Sequence, residues 1–410
     1  MNMLKIHNRL LQSKEVGEVS TTKPRTKRLA VIALAAAASL ILAGCSGTPT
    51  DNSPGQSSDS ATVAAAVKAA EARFVEAQKA ITKFDAPGPD FSVKGLAGKT
   101  VWYVVLDYSI PFFHVVGDVM KGALAEAGVG MSVCDGKGNP SSISQCMLQA
   151  IGAGAGAIIA DGPSPAIIGS QMAEAKAAGI PVIIGDNLDP DSPIPPGASA
   201  VVANSASKEG ELFGDAVLTL GKGKTSILVV STLDVAQGEL LAKGPVDAVK
   251  SVCDTCTAEV VNVPIAKWAT DLQATVQAKL VANPNISYVV VNFDSMTPFI
   301  RPALAGTDIK IITQNANVAQ MKDLADGKEV VVEIGSDMGW QGWAFADQAL
   351  RLMAGEQPVT HWIPLRLFTQ DNVKGLTIDE KTAGTQEWYG GPELETLMTE
   401  GFLKMWGLAG

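Results

Sequence analysis

Between Lys99 and Phe368, short apolar runs alternate with helical stretches, and the alternation runs through the chain twice. Val101–Leu106 is continuously apolar, the mark of a strand covered on both faces. The spacing predicts a helix over Phe113–Glu126, ended by Gly128, then strand Gly130–Cys134 and helix Ser141–Ala153. Strand Ala157–Ala160, helix Pro165–Ala177 and strand Pro181–Ile184 complete the first series. The second begins with helix Ser205–Leu220 and strand Ser226–Val230. It continues through helix Glu239–Ser251, strand Glu259–Val263, helix Thr270–Ala282 and strand Tyr288–Asn292. Helix Thr297–Leu304, strand Ile309–Thr313, helix Val318–Ala325 and strand Val330–Ile334 follow, then helix Trp340–Met353 and a strand-like Ile363–Phe368. Strand–helix–strand series of this kind form parallel sheets with helices on both faces. The fold class expected is α/β, with two doubly wound, Rossmann-like lobes joined by a multi-strand hinge. Gly156–Pro165 and Tyr288–Pro298 support the repetition, because each is an apolar strand leading to an Asp (Asp161, Asp294) and a Pro-containing turn into a helix.

The first residues do not fit this pattern. Met1–Arg28 carries seven basic and two acidic residues, and Leu29–Ala43 is a run of fifteen without charge. That run is the length of a signal-peptide core and short for a bilayer span. It ends in Leu42-Ala43-Gly44-Cys45, which resembles the lipobox of bacterial lipoproteins. The resemblance implies cleavage before Cys45, lipidation of Cys45 and an extracytoplasmic chain anchored to the cell membrane. The long basic segment leaves room for a start codon further downstream. Without residues 1–44, 25 basic residues face 40 acidic ones, a charge of −15. So acidic a surface argues against nucleic acid as a partner. Residues 45–61, rich in Ser, Gly, Pro, Asp and Asn, read as a flexible tether. Residues 62–86 read as one N-terminal helix stopped by Pro87-Gly88-Pro89, with the compact part beginning near Lys99.

Four cysteines remain: Cys134, Cys146, Cys253 and Cys256. An even count in an exported chain indicates two disulfides, with three connectivities open and the local pairs Cys134–Cys146 and Cys253–Cys256 favoured. Cys253-Asp-Thr-Cys256 has redox spacing, but it follows a helical run and precedes a strand, the reverse of a redox motif's context. With three His in the chain and no cluster at ligand spacing, neither a metal nor a cofactor is expected.

Ligands of doubly wound sheets bind beyond the carboxyl ends of the strands, and with two lobes the natural site is the cleft between them. The residues just after the strands are Asp107, Tyr108 and Ser109; Asp161; Asp186 and Asn187; Asn204; Asp234; Phe293 and Asp294; Gln314 and Asn315; and Ser336, Asp337 and Trp340. Trp268 follows the Glu259–Val263 strand, and Phe112 and Phe113 open a helix. Carboxylates and amides pair with hydroxyls, and aromatic faces cover a sugar or polyol ring. The competing reading is that each Asp only caps the helix that follows it. Gly152-Ala-Gly154-Ala-Gly156 and Gly223-Lys224-Thr225 mimic phosphate-binding loops but precede their strands, so they read as ordinary loops. No Ser–His–Asp series with a nucleophile elbow marks the chain as an enzyme.

Asp107-Tyr-Ser-Ile-Pro-Phe-Phe113, followed by a helix ending Ala-Glu-Ala-Gly128, resembles the ribose/galactose-type periplasmic (type I) solute-binding proteins of bacterial ABC importers. Ile180-Pro-Val-Ile-Ile-Gly-Asp186, Trp268 and Asp294 fall in family order, and the similarity runs from about Lys99 to Phe368. Four positions depart from the family: Ile110 replaces an Asn, Asn187 replaces an Arg, an expected Arg falls near Leu241, and Asn315 stands for an Asp. By this resemblance the ligand-binding residues are Asp107, Tyr108, Phe112, Phe113, Asp161, Asp186, Asn187, Asn204, Trp268, Phe293, Asp294, Asn315, Ser336 and Asp337. The lobes would comprise 98–203 with 337–364, and 204–336 with 365–410. The implied function is capture of a sugar, polyol or sugar derivative by a monomer, delivered to an ABC permease in the membrane. The departures also admit an amine-bearing ligand, and a ligand-sensing receptor of the same fold is the alternative role.

Overall fold

The computed structural model describes residues 60–233 and 235–408. The leader over 1–44, Cys45, the tether up to residue 59 and Asp234 lie outside the described residues. Helix α1 (Ser60–Glu76) comes first. The first α/β series is then β1 (Thr100–Val105), α2 (Pro111–Glu126), β2 (Gly130–Asp135), α3 (Pro140–Gly152), β3 (Ala157–Asp161), α4 (Pro165–Ala177), β4 (Val182–Gly185) and β5 (Ala200–Val202). The second is α5 (Ala206–Gly221), β6 (Ser226–Ser231), α6 (Gln237–Val252), β7 (Ala258–Asn262), α7 (Trp268–Ala282), β8 (Ile286–Val291), α8 (Thr297–Leu304), β9 (Lys310–Gln314), α9 (Val318–Ala325) and β10 (Val330–Ser336). Helix α10 (Met338–Ala354), β11 (Leu365–Phe368), α11 (Gln370–Val373) and α12 (Pro392–Met405) close the chain.

The strands form two sheets, ordered β2-β1-β3-β4-β5 and β11-β10-β9-β8-β6-β7. All pairs are parallel except β10 with β11. In both sheets the first strand in sequence has the second on one side and the third on the other. Each sheet therefore has a switch point, β1/β3 in one and β6/β8 in the other, where the loops diverge and leave a crevice. Central strands are buried along their whole length: Ala157–Asp161 of β3 and Ser226–Ser231 of β6 have no exposed residue. Each fully buried Val, Leu or Ile contributes about 1.5–3 kcal/mol, so the apolar runs of the sequence become the two sheet cores. The chain passes from β5 in the first sheet to α5, which packs with α6 on the second. It returns after β10, since α10 packs on α2, and goes back when β11 pairs with β10.

Three expectations change. The helix expected over 62–86 ends at Glu76. Beyond it the backbone is tied to other segments: Ala77 O accepts from Leu367 N at 2.8 Å, and Ile81 N donates to Tyr389 O at 2.9 Å. Tertiary partners there outweigh helical propensity. Second, the compact part begins well before Lys99. Ala70 and Phe74 of α1 are buried, Arg73 pairs with Asp215 on α5, and Phe91, Val93 and Leu96 join the core. Third, the C-terminal tail is divided. Helix α11 packs beside α9, while α12 lies on α10, with Trp343 stacked between Phe402 and Trp406. Phe91 N donates to Met405 O at 2.7 Å there. The buried Asp347 holds this junction together. It accepts from Arg351 at 2.6 Å and from Trp406 Nε1 at 2.7 Å, while Arg351 also donates to Pro89 O. Burial pushes the Asp347 carboxyl up, but His361 and Arg351 hold it below its ordinary value. Cys134–Cys146 and Cys253–Cys256 are disulfide-bonded, with Cα separations of 5.6 and 5.4 Å. No helix among the described residues is long and apolar enough to cross a membrane.

Candidate functional site

A cavity of about 50 Å³ lies where the two switch points meet. Its walls come from the carboxyl ends of strands in both sheets. Leu106 follows β1, Gly162 follows β3 and Asp186 follows β4. From the second sheet come Val235 after β6, Ile265 after β7, Phe293 after β8, and Gln314 and Asn315 at β9. Phe112 and Phe113 reach it from the first turn of α2, where Pro111 occupies a position that needs no N–H donor. Trp268 opens α7 and is fixed by its indole N–H, which donates to Val263 O at 3.2 Å. At about 10–15 Å³ per water, the cavity has room for a few solvent molecules or one small solute. A groove of about 380 Å³ adjoins it and shares Ile110, Ile265, Trp268 and Ser295 as common walls.

Two lining residues have left-handed backbones that side chains rarely adopt: Asp186 (φ 41°) and Asn315 (φ 105°). Such geometry costs of order 1–3 kcal/mol and persists where surrounding contacts impose it. For Asp186 the contacts are visible. Gln341 donates to one carboxyl oxygen and Asn204 N to the other, at 3.3 Å. Behind it Asp161 is fully buried and accepts from Tyr103 Oη at 2.6 Å. Burial, and then the neighbouring Asp186 carboxyl, push Asp161 well above the carboxylate range. Burial pushes Asp186 up to about 6, opposed by its hydrogen bonds. Two carboxyls this close do not both ionise cheaply, and Asp161, the more deeply buried of the two, is the harder to ionise.

Glu209, on α5, is the other carboxyl facing the cavity. It accepts from Ser336 Oγ at 2.5 Å. Burial raises its pKa to about 8, the Ser336 hydrogen bond opposes this, and the negative charges of Asp186 and Asp189 add to it. Four amides, Asn204, Gln237, Gln314 and Asn315, and the Ser295 hydroxyl complete the polar lining. Gln314 Nε2 donates to Asn292 O at 2.9 Å, and Gln237 Nε2 donates to Asn204 O at 3.4 Å. Both amides therefore keep an oxygen free, and Gln314 Oε1 and Asn204 Oδ1 are buried with no partner.

Of the fourteen candidate ligand residues, Phe112, Phe113, Asp186, Asn204, Trp268, Phe293 and Asn315 line the cavity. Asp107 lines the adjoining groove, where it accepts from Ser109 N and Oγ. The others stand behind the wall. Tyr108 lies against His114, ring centroids 3.8 Å apart, and its N–H donates to Asp135. Asp161 supports Asp186, and Asn187 ties its loop to Gly162 O at 2.8 Å. Asp294 accepts from Asn317 N and Nδ2 at 2.7 and 2.5 Å, shaping the turn that carries Asn315. Ser336 serves Glu209, and Asp337 caps α10 through Trp340 N while accepting from Gln386. These carboxyls end strands as expected, but their oxygens accept from protein donors: the Tyr103 hydroxyl for Asp161, Asn317 backbone and side-chain N–H for Asp294, and Trp340 N and the Gln386 amide for Asp337. Sequence reasoning missed Glu209, Gln237, Ser295 and the apolar Leu106, Ile110, Val235 and Ile265. Ile110 had been noted only as a departure. Glu209 was readable: Ala206, Glu209, Gly210 and Phe213 form one buried helical stripe, and a carboxylate there needs a reason.

The geometry defines a binding cleft between two similarly wound lobes, and the sequence agrees. The periplasmic binding protein domain family matches residues 101–357, well over half of the chain. This chain belongs to that family. No curated protein sequence matches it significantly. Among solved structures it is similar to an ABC transporter solute-binding protein from Mycobacterium smegmatis with bound glycerol, at 21% identity and TM-score 0.61, over 69% of this chain and 97% of that one. It is also similar to a 5-methylthioribose transporter solute-binding protein from Thermotoga lettingae (17%, TM-score 0.64, 76% and 99% covered). A third is a solute-binding protein from Bacillus halodurans with bound myo-inositol (19%, TM-score 0.59, 68% and 98% covered). These likenesses establish the periplasmic-binding-protein type I fold.

Proposed function

We propose that this protein captures one small hydroxyl-bearing solute, a sugar, polyol or derivative, in the interlobe cavity and delivers it to an ABC permease. The observation that carries the reading is the cavity itself. It lies at both switch points and is lined by four aromatic side chains and by two amides, Asn204 and Gln314, whose oxygens are buried without a partner. A buried acceptor without a donor costs roughly 1–3 kcal/mol, and a solute hydroxyl removes that cost. Aromatic faces then cover the apolar faces of the same molecule. The glycerol, myo-inositol and 5-methylthioribose associated with the similar structures belong to this chemical class. Closure would turn on the three interlobe passages near residues 203–205, 336–338 and 355–364, shifting the population from open to closed. In this reading the protein is a monomer that performs no turnover, and lipidated Cys45 keeps it at the outer face of the membrane, where several acyl chains anchor stably.

Thermal melting against a panel of sugars, polyols, amino acids and amines tests this. A ligand at about a thousand times its Kd adds about 4 kcal/mol of stability. A shift with one sugar or polyol supports the reading and names the class. A shift confined to amino acids removes the carbohydrate assignment, and chemical conversion of a bound solute removes the binding-only role.

A further inference from the structure

The cavity is unbalanced in its hydrogen-bonding groups. Asp186 and Glu209 supply carboxyl oxygens, Gln314 and Gln237 supply amide oxygens left over by the bonds their N–H groups make, and Asn204 Oδ1 is buried without a partner. Among the described residues lining the cavity there is no Lys, Arg or His. Two positions where the family resemblance led to Arg are Asn187, turned to Gly162 O, and Leu241, in the core. A neutral polyol brings one donor and one acceptor with each hydroxyl, which leaves the acceptor excess in place. An ammonium brings three donors, no acceptor and a positive charge, and aromatic faces attract it. A metal ion does not suit the site, since no group of three or more His, Cys, Asp or Glu among the described residues could hold one.

We infer that the solute carries a protonated amine, held between Asp186 of one lobe and Glu209 of the other, so that the ligand class is an amino sugar or amino polyol. This rests on the solute-capture reading and deepens it. On binding, the ammonium takes the place of the proton that burial keeps on Glu209, and the cation then bridges carboxyls carried by different lobes as a two-sided clamp.

The test is calorimetric titration of the full chain, near neutral pH, with matched pairs: glycerol against serinol, sorbitol against glucamine, glucose against glucosamine. The expected result is that the amine of at least one pair binds about ten-fold tighter or better than its neutral parent. In Glu209→Gln, which keeps an oxygen for Ser336, that preference should disappear while the melting curve stays cooperative. Asp186→Asn should reduce it in the same direction. Equal or tighter binding of the neutral parents overturns the amine assignment and leaves solute capture standing. An amine preference unchanged in both variants overturns the clamp. Failure of every member of every pair to bind overturns this inference and the capture of this solute class together.

Discussion

Replacing Glu209 by Gln should make the protein more stable at high pH and leave it unchanged in acid. The wild-type carboxyl is raised from 4.5 to about 8. The folded state therefore binds more protons than the unfolded state between these values. A raised carboxyl contributes its full share of stability below about 4.5 and loses it as pH climbs through about 8. At roughly 1.4 kcal/mol per unit, the loss is on the order of 4–5 kcal/mol. Gln has no proton to lose, and its oxygen still accepts from Ser336. With about 2.1 cal/mol/K per residue over the roughly 350 residues of the compact unit, 1 kcal/mol moves Tm by about 1.4 °C. The variant should thus melt with the wild type near pH 5 and about 6–7 °C above it near pH 9. Differential scanning calorimetry of both proteins, without solute, reads the gap directly. Parallel Tm curves across the range would refute a buried, protonated Glu209. A variant that is less stable at every pH would show that the carboxyl is ionised and paired.

Asp347→Ala should be the most damaging single change distant from the cavity. It strands a guanidinium only 1% exposed, so a loss of about 3–5 kcal/mol is expected in chemical denaturation; a loss under about 1 kcal/mol would remove Asp347 from that role. Replacing Cys134 and Cys146 by Ser opens a link across 12 residues and should cost about 3 kcal/mol. The same change at Cys253 and Cys256, only 3 residues apart, should cost less, and the reverse order in urea denaturation would contradict the loop argument. Asp161→Asn keeps a group that Tyr103 can donate to but takes away the acid proton facing Asp186. Solute affinity measured by titration should fall several-fold with little change in Tm, whereas an unchanged affinity would uncouple the two carboxyls.

The two sheets were legible because buried parallel strands leave an uninterrupted apolar signature. Val101–Val105, Ala157–Ala160 and Val289–Val291 need no context to be read. Strand β5 went unread because three residues, Ala200–Val202, are too short to show a period. The overlong first helix had the opposite cause. Residues 77–86 look helical locally, but Ile81 and Ala77 find backbone partners about three hundred residues away, which no local window contains. The site divided along similar lines. Strand ends could be located, so Asp186, Asn204, Phe293 and Asn315 were found. Which way a strand-end carboxyl turns depends on donors that lie far off in sequence, such as Tyr103 for Asp161, Asn317 for Asp294 and Gln386 for Asp337, and these hold the three behind the wall. Glu209 lay outside the search because it sits on a helix.

The central claim is that the interlobe cavity holds the solute. Calorimetric titration of the wild type and of Trp268→Ala, with the solute that gives the largest melting shift, tests it most directly. Trp268 is almost fully buried and forms part of the wall between cavity and groove. The account predicts one solute per wild-type chain and, in the variant, affinity weakened at least about ten-fold, or about 1.4 kcal/mol. Wild-type affinity in a folded Trp268→Ala chain would place the solute elsewhere and contradict the account.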